Sequence, residues 1–268
     1  MRRSRLVLIL SAFLLALATA LTGAGAAQAS QQAPDGGYVA LGDSYSSGVG
    51  AGSYISGSGD CKRSTKAYPY LWNAANSPSS FDFMACSGAR TGDVLSGQLG
   101  PLGATTSLVS ISIGGNDAGF ADVMTTCVLQ SDSTCLSRIA TAKAYVDSTL
   151  PGKLDSVYTA IRTRAPNAHV VVLGYPRFYR LGTTCIGLSE TKRKAINGAA
   201  DHLATALAQR AAAHGFTFGD VRTTFTGHEI CSGNSWLHSV DWLNIGNSYH
   251  PKAAGQSGGY LPVLNNAV

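Results

Sequence analysis

A serine stands between an aspartate and a tyrosine at the end of an apolar run in YVALGDSYSSGVG, residues 38–50. A hydroxyl displayed at such a place suits acyl transfer. That chemistry needs a nucleophile, a base to take its proton, and fixed donors for the oxyanion that forms. Ser44 is the candidate nucleophile, although Gly-Asp-Ser alone is equally a helix cap. Ser257, in GQSGG at 255–259, matches the G-x-S-x-G elbow pattern. No apolar strand precedes it and no histidine follows it, so the segment reads as a loop and the match as coincidence.

Six histidines compete for the base. His202 and His214 fall in, or at the end of, a helical segment, and His169 begins a strand. His228 lacks the second histidine of H-E-x-x-H. His238 sits among Trp, Leu and Ser and reads as structural. His250, in NSYHPKAAGQSGG, lies on a loop that can present a side chain free of helix geometry.

The elements that must position these groups follow from periodicity. Apolar, β-branched runs predict strands at 38–41, 81–84, 108–113, 169–173 and 216–218. Leu150, Leu154, Val157 and Ile161 recur at helical spacing before Pro166. Ile196, Leu203 and Leu207 mark a second helix ending at Gly215, and YPYLWNAA at 68–75 a third. Strands alternating with helices predict a parallel sheet covered on both faces, with its ligand site beyond the carboxyl ends of the strands. That rule selects GDSYS, CSGART, GGND and GYPRF, the segments after the first four strands. The glycine- and serine-rich 46–59 reads as a loop.

Composition bounds the setting. Arg2, Arg3 and Arg5, an apolar stretch and Ala27-Gln28-Ala29 spell a secretory leader over 1–29, leaving one domain over 30–268 and an extracellular protein. Without the leader, 17 basic residues face 15 acidic ones, a net of +2, with no basic block for nucleic acid. Cys61, Cys86, Cys127, Cys135, Cys185 and Cys231 suit three disulfides in an exported chain. Spacing permits fifteen pairings. Sequential pairing is the simplest, and Cys127 and Cys135 are close enough to staple a local loop. No C-x-x-C pair points to a metal, and GVGAG lacks the lysine of a phosphate loop, so no metal or cofactor is expected.

Four blocks fall in one order: LGDSYSSG with Ser44, CSGART with Gly88, SIGGND with Asn116 and SYHP with His250. The set resembles the SGNH hydrolases, the GDSL branch of esterases and lipases, from Tyr38 to about Tyr260. The wording GDSYSSG, SIGGNDAGF and GYPRF is most similar to the secreted lipases and phospholipases of actinomycetes. The resemblance implies a flavodoxin-like three-layer α/β/α sandwich on a five-stranded parallel sheet. It implies Ser44 as nucleophile and His250 as base, with an oxyanion hole of the Ser44 and Gly88 N–H groups and the Asn116 amide. It also implies the pairs Cys61–Cys86, Cys127–Cys135 and Cys185–Cys231.

One departure matters. Many family members carry Asp three residues before the histidine, where this chain has Asn247. The orienting group is then expected to be a main-chain carbonyl, Ser248 first, with Asn247 and the more distant Asp241 as alternatives. Asp43 and Asp117 read as turn and capping acids, and Arg90 as an ion-pair or helix-start residue. Tyr175, Pro176 and Phe178 suit either an acyl pocket or the core. The expected activity is hydrolysis of fatty-acyl esters, with phospholipase A1 activity the runner-up. Acetyl or thioester hydrolysis, or a non-catalytic lipid- or carbohydrate-binding role on the same scaffold, ranks lower. The partners expected are a lipid or small ester and a transient lipid interface, the protein being a monomer.

Overall fold

The structure, a computed structural model, describes residues 36–268; the leader expected at 1–29 lies outside the described residues. Five strands form one parallel sheet: β1 (Gly37–Gly42), β2 (Phe81–Phe83), β3 (Thr106–Ser112), β4 (His169–Leu173) and β5 (Thr217–Gly219), in the order β2-β1-β3-β4-β5. All five expected strands are present, 169–173 with the same bounds and the others differing at their ends by at most two residues. Every residue of β1 is buried, which explains why it reads as a continuous apolar run rather than an alternation. The strand order reverses between β1 and β3, and a parallel sheet opens a crevice beyond that reversal.

Helices cover both faces. One layer holds α2 (Tyr68–Asn76) and α8 (Leu261–Ala267). The other holds α3 (Thr91–Gly97), α6 (Leu150–Arg164) and α7 (Glu190–Ala213), joined by α5 (Asp132–Ser148) and α4 (Phe120–Leu129). The four apolar residues predicted to line α6 are all fully buried, each worth about 1.5–3 kcal/mol over exposure. α4 and α5 have no counterpart among the expected helices. α5 is mostly polar, and its four buried residues (Cys135, Ile139, Ala142 and Val146) include only two aliphatics larger than alanine.

Three disulfides join Cys61–Cys86, Cys127–Cys135 and Cys185–Cys231. The first ties the loop after β1 to the end of β2, and the second fastens α4 to the start of α5. The expected loop over 46–59 is only partly one, because a helical turn, α1 (Ser44–Ser47), begins directly after β1. The segment around Ser257 is not a loop either. Residues Gly255–Tyr260 form a turn of π-helix leading into α8.

The carboxyl end of β1 is held by an unusual partner. β2 stops at Phe83; just past it Cys86 N donates to the Gly42 C=O at 3.0 Å, but the Gly42 N–H on that side has no backbone partner among the described residues. Gln98, itself buried, closes the gap: its Oε1 accepts from Gly42 N at 2.7 Å and its Nε2 donates to Gly42 O at 2.9 Å. Gly42 has φ +121, and a Cβ there would stand 2.4 Å from the Ser112 carbonyl oxygen, so no other residue fits. Gln98→Ala should leave the Gly42 N–H buried and unpaired. It is expected to lower unfolding free energy by about 1–3 kcal/mol, read by urea denaturation.

Candidate active site

The turn that ends β1 places three consecutive side chains in different directions. Asp43 points inward and caps α1: its Oδ1 accepts from Tyr45 N at 3.0 Å and from Ser112 Oγ, at the end of β3, at 2.8 Å. Its Oδ2 accepts from the hydroxyl of Tyr175, just beyond β4. Burial pushes the Asp43 carboxyl up to about 6, against the pull of these donors, Tyr175 first. Tyr45 packs tilted against the His250 ring, centroids 5.3 Å apart, and donates its hydroxyl to the Tyr249 carbonyl at 2.8 Å. Between them Ser44 faces the crevice, with its Oγ 2.8 Å from His250 Nε2.

Ser44 and His250 are 206 residues apart in sequence. The loop that delivers the histidine is fixed on several sides. Tyr249 adopts φ +67, uncommon for a side chain of that size. Its N–H donates to the His238 carbonyl, its carbonyl accepts from Tyr45, and its hydroxyl accepts from Tyr179 at 3.2 Å. His238 in turn bonds through Nε2 to the Gly50 carbonyl at 2.8 Å.

The imidazole is partly buried at the crevice, and desolvation pushes its pKa down to about 4. The Ser248 and Asn247 main-chain carbonyls oppose that fall, whereas nearby His238 and Lys62 add to it. Nδ1 is buried and makes no hydrogen bond of normal geometry. Asp241 is engaged elsewhere: its Oδ1 accepts from Leu243 N and Asn244 N, and its own N–H donates to Ser248 Oγ.

The other expected residues converge on the same crevice by separate routes. Asn116 follows β3 and donates through Nδ2 to the Ala89 carbonyl at 3.0 Å. The amide nitrogen carries two hydrogens, so one remains free of that bond. Gly115, beside it, donates its N–H to Tyr175 Oη at 3.2 Å, so Asp43 reaches this turn through Tyr175. Gly88 is exposed at φ +78, and its N–H has no partner among the described residues. The Ser44 N–H, first in a helical turn, has no carbonyl one turn earlier to bond.

The bystanders fall where expected. Asp117 caps α3, accepting from Thr91 N and Oγ1, and Arg90 begins that helix with its N–H on Asp93. Ser257 Oγ donates to the Ala253 carbonyl at 3.1 Å, one helical turn back, and meets no histidine. Its neighbour Gln256 has the structural role: buried, it accepts from Tyr68 N and donates to the Tyr45 carbonyl, both at 3.0 Å.

A narrow apolar cavity opens beside Ser44 and Asn116. Tyr175, Phe120 and Phe178 flank it near the serine, and Val146 of α5 and Leu203 of α7 line it further on. Tyr175 and Phe178 thus line a pocket and also pack in the core. Ala142, Ala199 and Ala200 leave room for it between α5 and α7. No residue pattern announces this space, because its lining comes from two packed helices some sixty residues apart in sequence and from the turns after β1, β3 and β4. Among the described residues no group of three or more His, Cys, Asp or Glu converges in a way that could hold a metal ion.

Residues 40–257 match the model of the GDSL-like Lipase/Acylhydrolase family. The chain is 82% identical over 268 residues to Lipase 1 of Streptomyces coelicolor, covering 100% of both. It is similar in structure to a phospholipase A1 from Streptomyces albidoflavus NA297, at TM-score 0.86 and 70% identity, and to an extracellular lipase from Streptomyces rimosus, at 0.85 and 67%. Each match covers 87% of this chain and 100% of the other.

The depressed pKa of His250 sets a pH dependence. A base must be neutral to accept the serine proton, and a pKa near 4 keeps it so from neutrality down to about pH 5. With a dissolved short-chain ester, kcat/KM should stay level over that range and fall with an acid limb near pH 4. A limb near 6.5 or above would show the ring is not desolvated as described.

Proposed function

This chain belongs to the GDSL-like lipase/acylhydrolase family, and we propose that its ester hydrolysis runs through Ser44 as nucleophile and His250 as base. It is a carboxylic ester hydrolase, a lipase cleaving fatty-acyl esters. The observation that carries the assignment of residues is the 2.8 Å contact between Ser44 Oγ and His250 Nε2 at the mouth of the apolar cavity.

In this mechanism the acyl chain lies in the cavity and the ester carbonyl sits over Ser44. His250 Nε2 takes the hydroxyl proton as Oγ attacks the carbonyl carbon. The negative charge passes to the carbonyl oxygen, where the N–H groups of Ser44 and Gly88 and the Asn116 amide receive it. Collapse breaks the bond to the alcohol, which leaves with the proton from His250. Water then attacks the acyl-enzyme, His250 taking its proton, and the fatty acid departs as Ser44 regains its hydrogen. Asn116 suits the site because it donates without charge; a carboxylate there would repel the oxyanion.

His250 works here as half of a dyad, oriented by the Ser248 carbonyl. With Asp241 occupied by its own loop and Asn247 neutral, no carboxylate shares the imidazolium's charge. The protein acts outside the cell as a monomer, and three disulfides suit an oxidising setting. Phospholipase A1 activity is the second reading, favoured by the 70% identity to an enzyme of that name.

A fluorophosphonate ester should add once to the wild type and to Ser257→Ala, and not to Ser44→Ala, as read by intact mass. Ser44→Ala is expected to lose on the order of 10⁴-fold or more in kcat. Asn116→Ala should lose about 10²–10³-fold. Asp241→Asn and Asn247→Ala should each keep most of their activity. Loss of about a thousandfold in either, with folding intact, would restore a triad. An adduct retained by Ser44→Ala would remove Ser44 from the mechanism.

A further inference from the structure

Most large apolar side chains that remain in water are scattered, but four of them crowd two neighbouring loops. Ile186 is 97% exposed, Leu243 93%, Trp242 71% and Ile245 64%. Ile186 lies next to the Cys185–Cys231 bridge, and Trp242, Leu243 and Ile245 lie in the loop that leads into Tyr249 and His250. Ile186 and Trp242 line one cleft together with His238. His238 also stands close enough to His250 to depress its pKa. The apolar patch is therefore continuous with the active site. It adjoins the site on the histidine's side, away from the cavity between α5 and α7.

Two cations beside the patch carry no ion pair among the described residues, while the nearby Asp241 carboxylate is turned onto the Leu243 and Asn244 N–H groups of its own loop. Lys62, carried on the loop stapled by Cys61–Cys86, reaches the Trp242 loop, its Nζ 3.4 Å from where a Cβ on Gly246 would stand. Its field reaches His250 as well. Neither Asp60 nor Asp241 pairs with it, and it has no ion-pair partner among the described residues. Lys252, on the same cleft, donates only to the neutral Ser235 carbonyl. Leaving a Trp, a Leu and two Ile in water forgoes hydrophobic stabilisation that burying them elsewhere would give. Flanked by unpaired cations, such a patch fits a surface that offers hydrocarbon under a layer of negative charge.

We propose that the Trp242–Ile245 loop, with Ile186 and Lys62, is a docking face for anionic phospholipid surfaces, which brings the active-site mouth against the lipid. The proposal deepens the lipase reading and rests on it for its biological sense. Docking here is adsorption by side chains already exposed, so it calls for no lid to open.

The test uses the full mature chain carrying Ser44→Ala, so that binding is read without hydrolysis. It is mixed with vesicles of dioleoylphosphatidylglycerol or of dioleoylphosphatidylcholine and sedimented. Binding to the anionic vesicles should exceed that to the zwitterionic ones and weaken as salt rises from 0.05 to 0.5 M. Trp242→Ser with Leu243→Ser should lower binding at least tenfold. Lys62→Gln should lower it about fivefold on the anionic vesicles alone. Trp242 fluorescence should shift to the blue on binding, since Trp72 is buried and Trp236 is stacked on His228. Thermal melting checks folding, and Leu243→Ser alone serves should the double variant fail to fold.

Absence of binding to either vesicle would overturn the proposal. So would unchanged binding in the folded double variant, or binding of both lipids alike that ignores Lys62→Gln. Conversion of a dimer to a monomer by these substitutions would instead make the face a self-association surface. Binding by Ser44→Ala while the wild type hydrolyses no ester would leave the docking face standing and remove the assigned chemistry. Hydrolysis without binding would do the reverse.

Discussion

A carboxylate buried directly beneath the serine is the constraint around which the active end of the sheet is arranged. Asp43 would be costly to bury unpaired, and its three donors come from three places: the α1 backbone, Ser112 at the end of β3 and Tyr175 beyond β4. Satisfying one residue therefore fixes the relative heights of three strand ends. Tyr175 passes the constraint on to Gly115 and so to the Asn116 turn. Ser112 passes it across the sheet through Ser46 to Tyr68. The serine's position and the amide that faces the crevice are thus set by the same buried acid, which touches no reacting atom.

The histidine side is built on the opposite economy. His250 is held neutral by burial and receives no carboxylate, so its loop must be fixed by backbone and aromatic contacts. Tyr249 in a left-handed conformation is tied at its N–H, carbonyl and hydroxyl, and the tyrosines that tie it, Tyr45 and Tyr179, are themselves buried. A desolvated imidazole with a low pKa is a weak base. In exchange it stays unprotonated over a wide acid range and keeps a direct contact with the serine. The same desolvation strengthens any donor aimed at an oxyanion in the crevice.

The two faces beside the serine differ in kind. Along α5 and α7 the space is a recessed, apolar pocket, lined in part by alanines where larger residues would have filled it. Beside the histidine the apolar groups point into water, Ile186 next to the Cys185–Cys231 disulfide and the other three on the loop that leads into Tyr249. A molecule with a long hydrocarbon tail and a polar head finds a place for the tail on one side and an amphipathic surface on the other.

The sequence by itself determined the kind of protein. Hydrophobic runs and helical spacing report local geometry, so the five strands, α2, α6 and α7 and the crevice beyond the strand ends were legible. Ser44, Gly88, Asn116 and His250 were expected from the resemblance of four ordered blocks to the SGNH hydrolases, while the residues by themselves left the histidine open. α4 and α5 were not legible, since α4 buries only Val123, Met124 and Cys127 and the mostly polar α5 buries only four residues, two of them Cys135 and Ala142, which leaves a faint periodic signal. Only the tertiary structure shows His250 meeting Ser44, Ser257 turned back onto the Ala253 carbonyl, and Gln98 and Gln256 bonded to backbone groups far away in sequence. It alone shows that Asp43 is a hub as well as the cap of α1, that the buried Nδ1 of His250 meets no acid among the described residues, and that residues of α5 and α7 line a pocket beside Ser44. The physical reason is common to all of these. Burial, pKa and empty space depend on what arrives from distant parts of the chain, and no local pattern records that arrival.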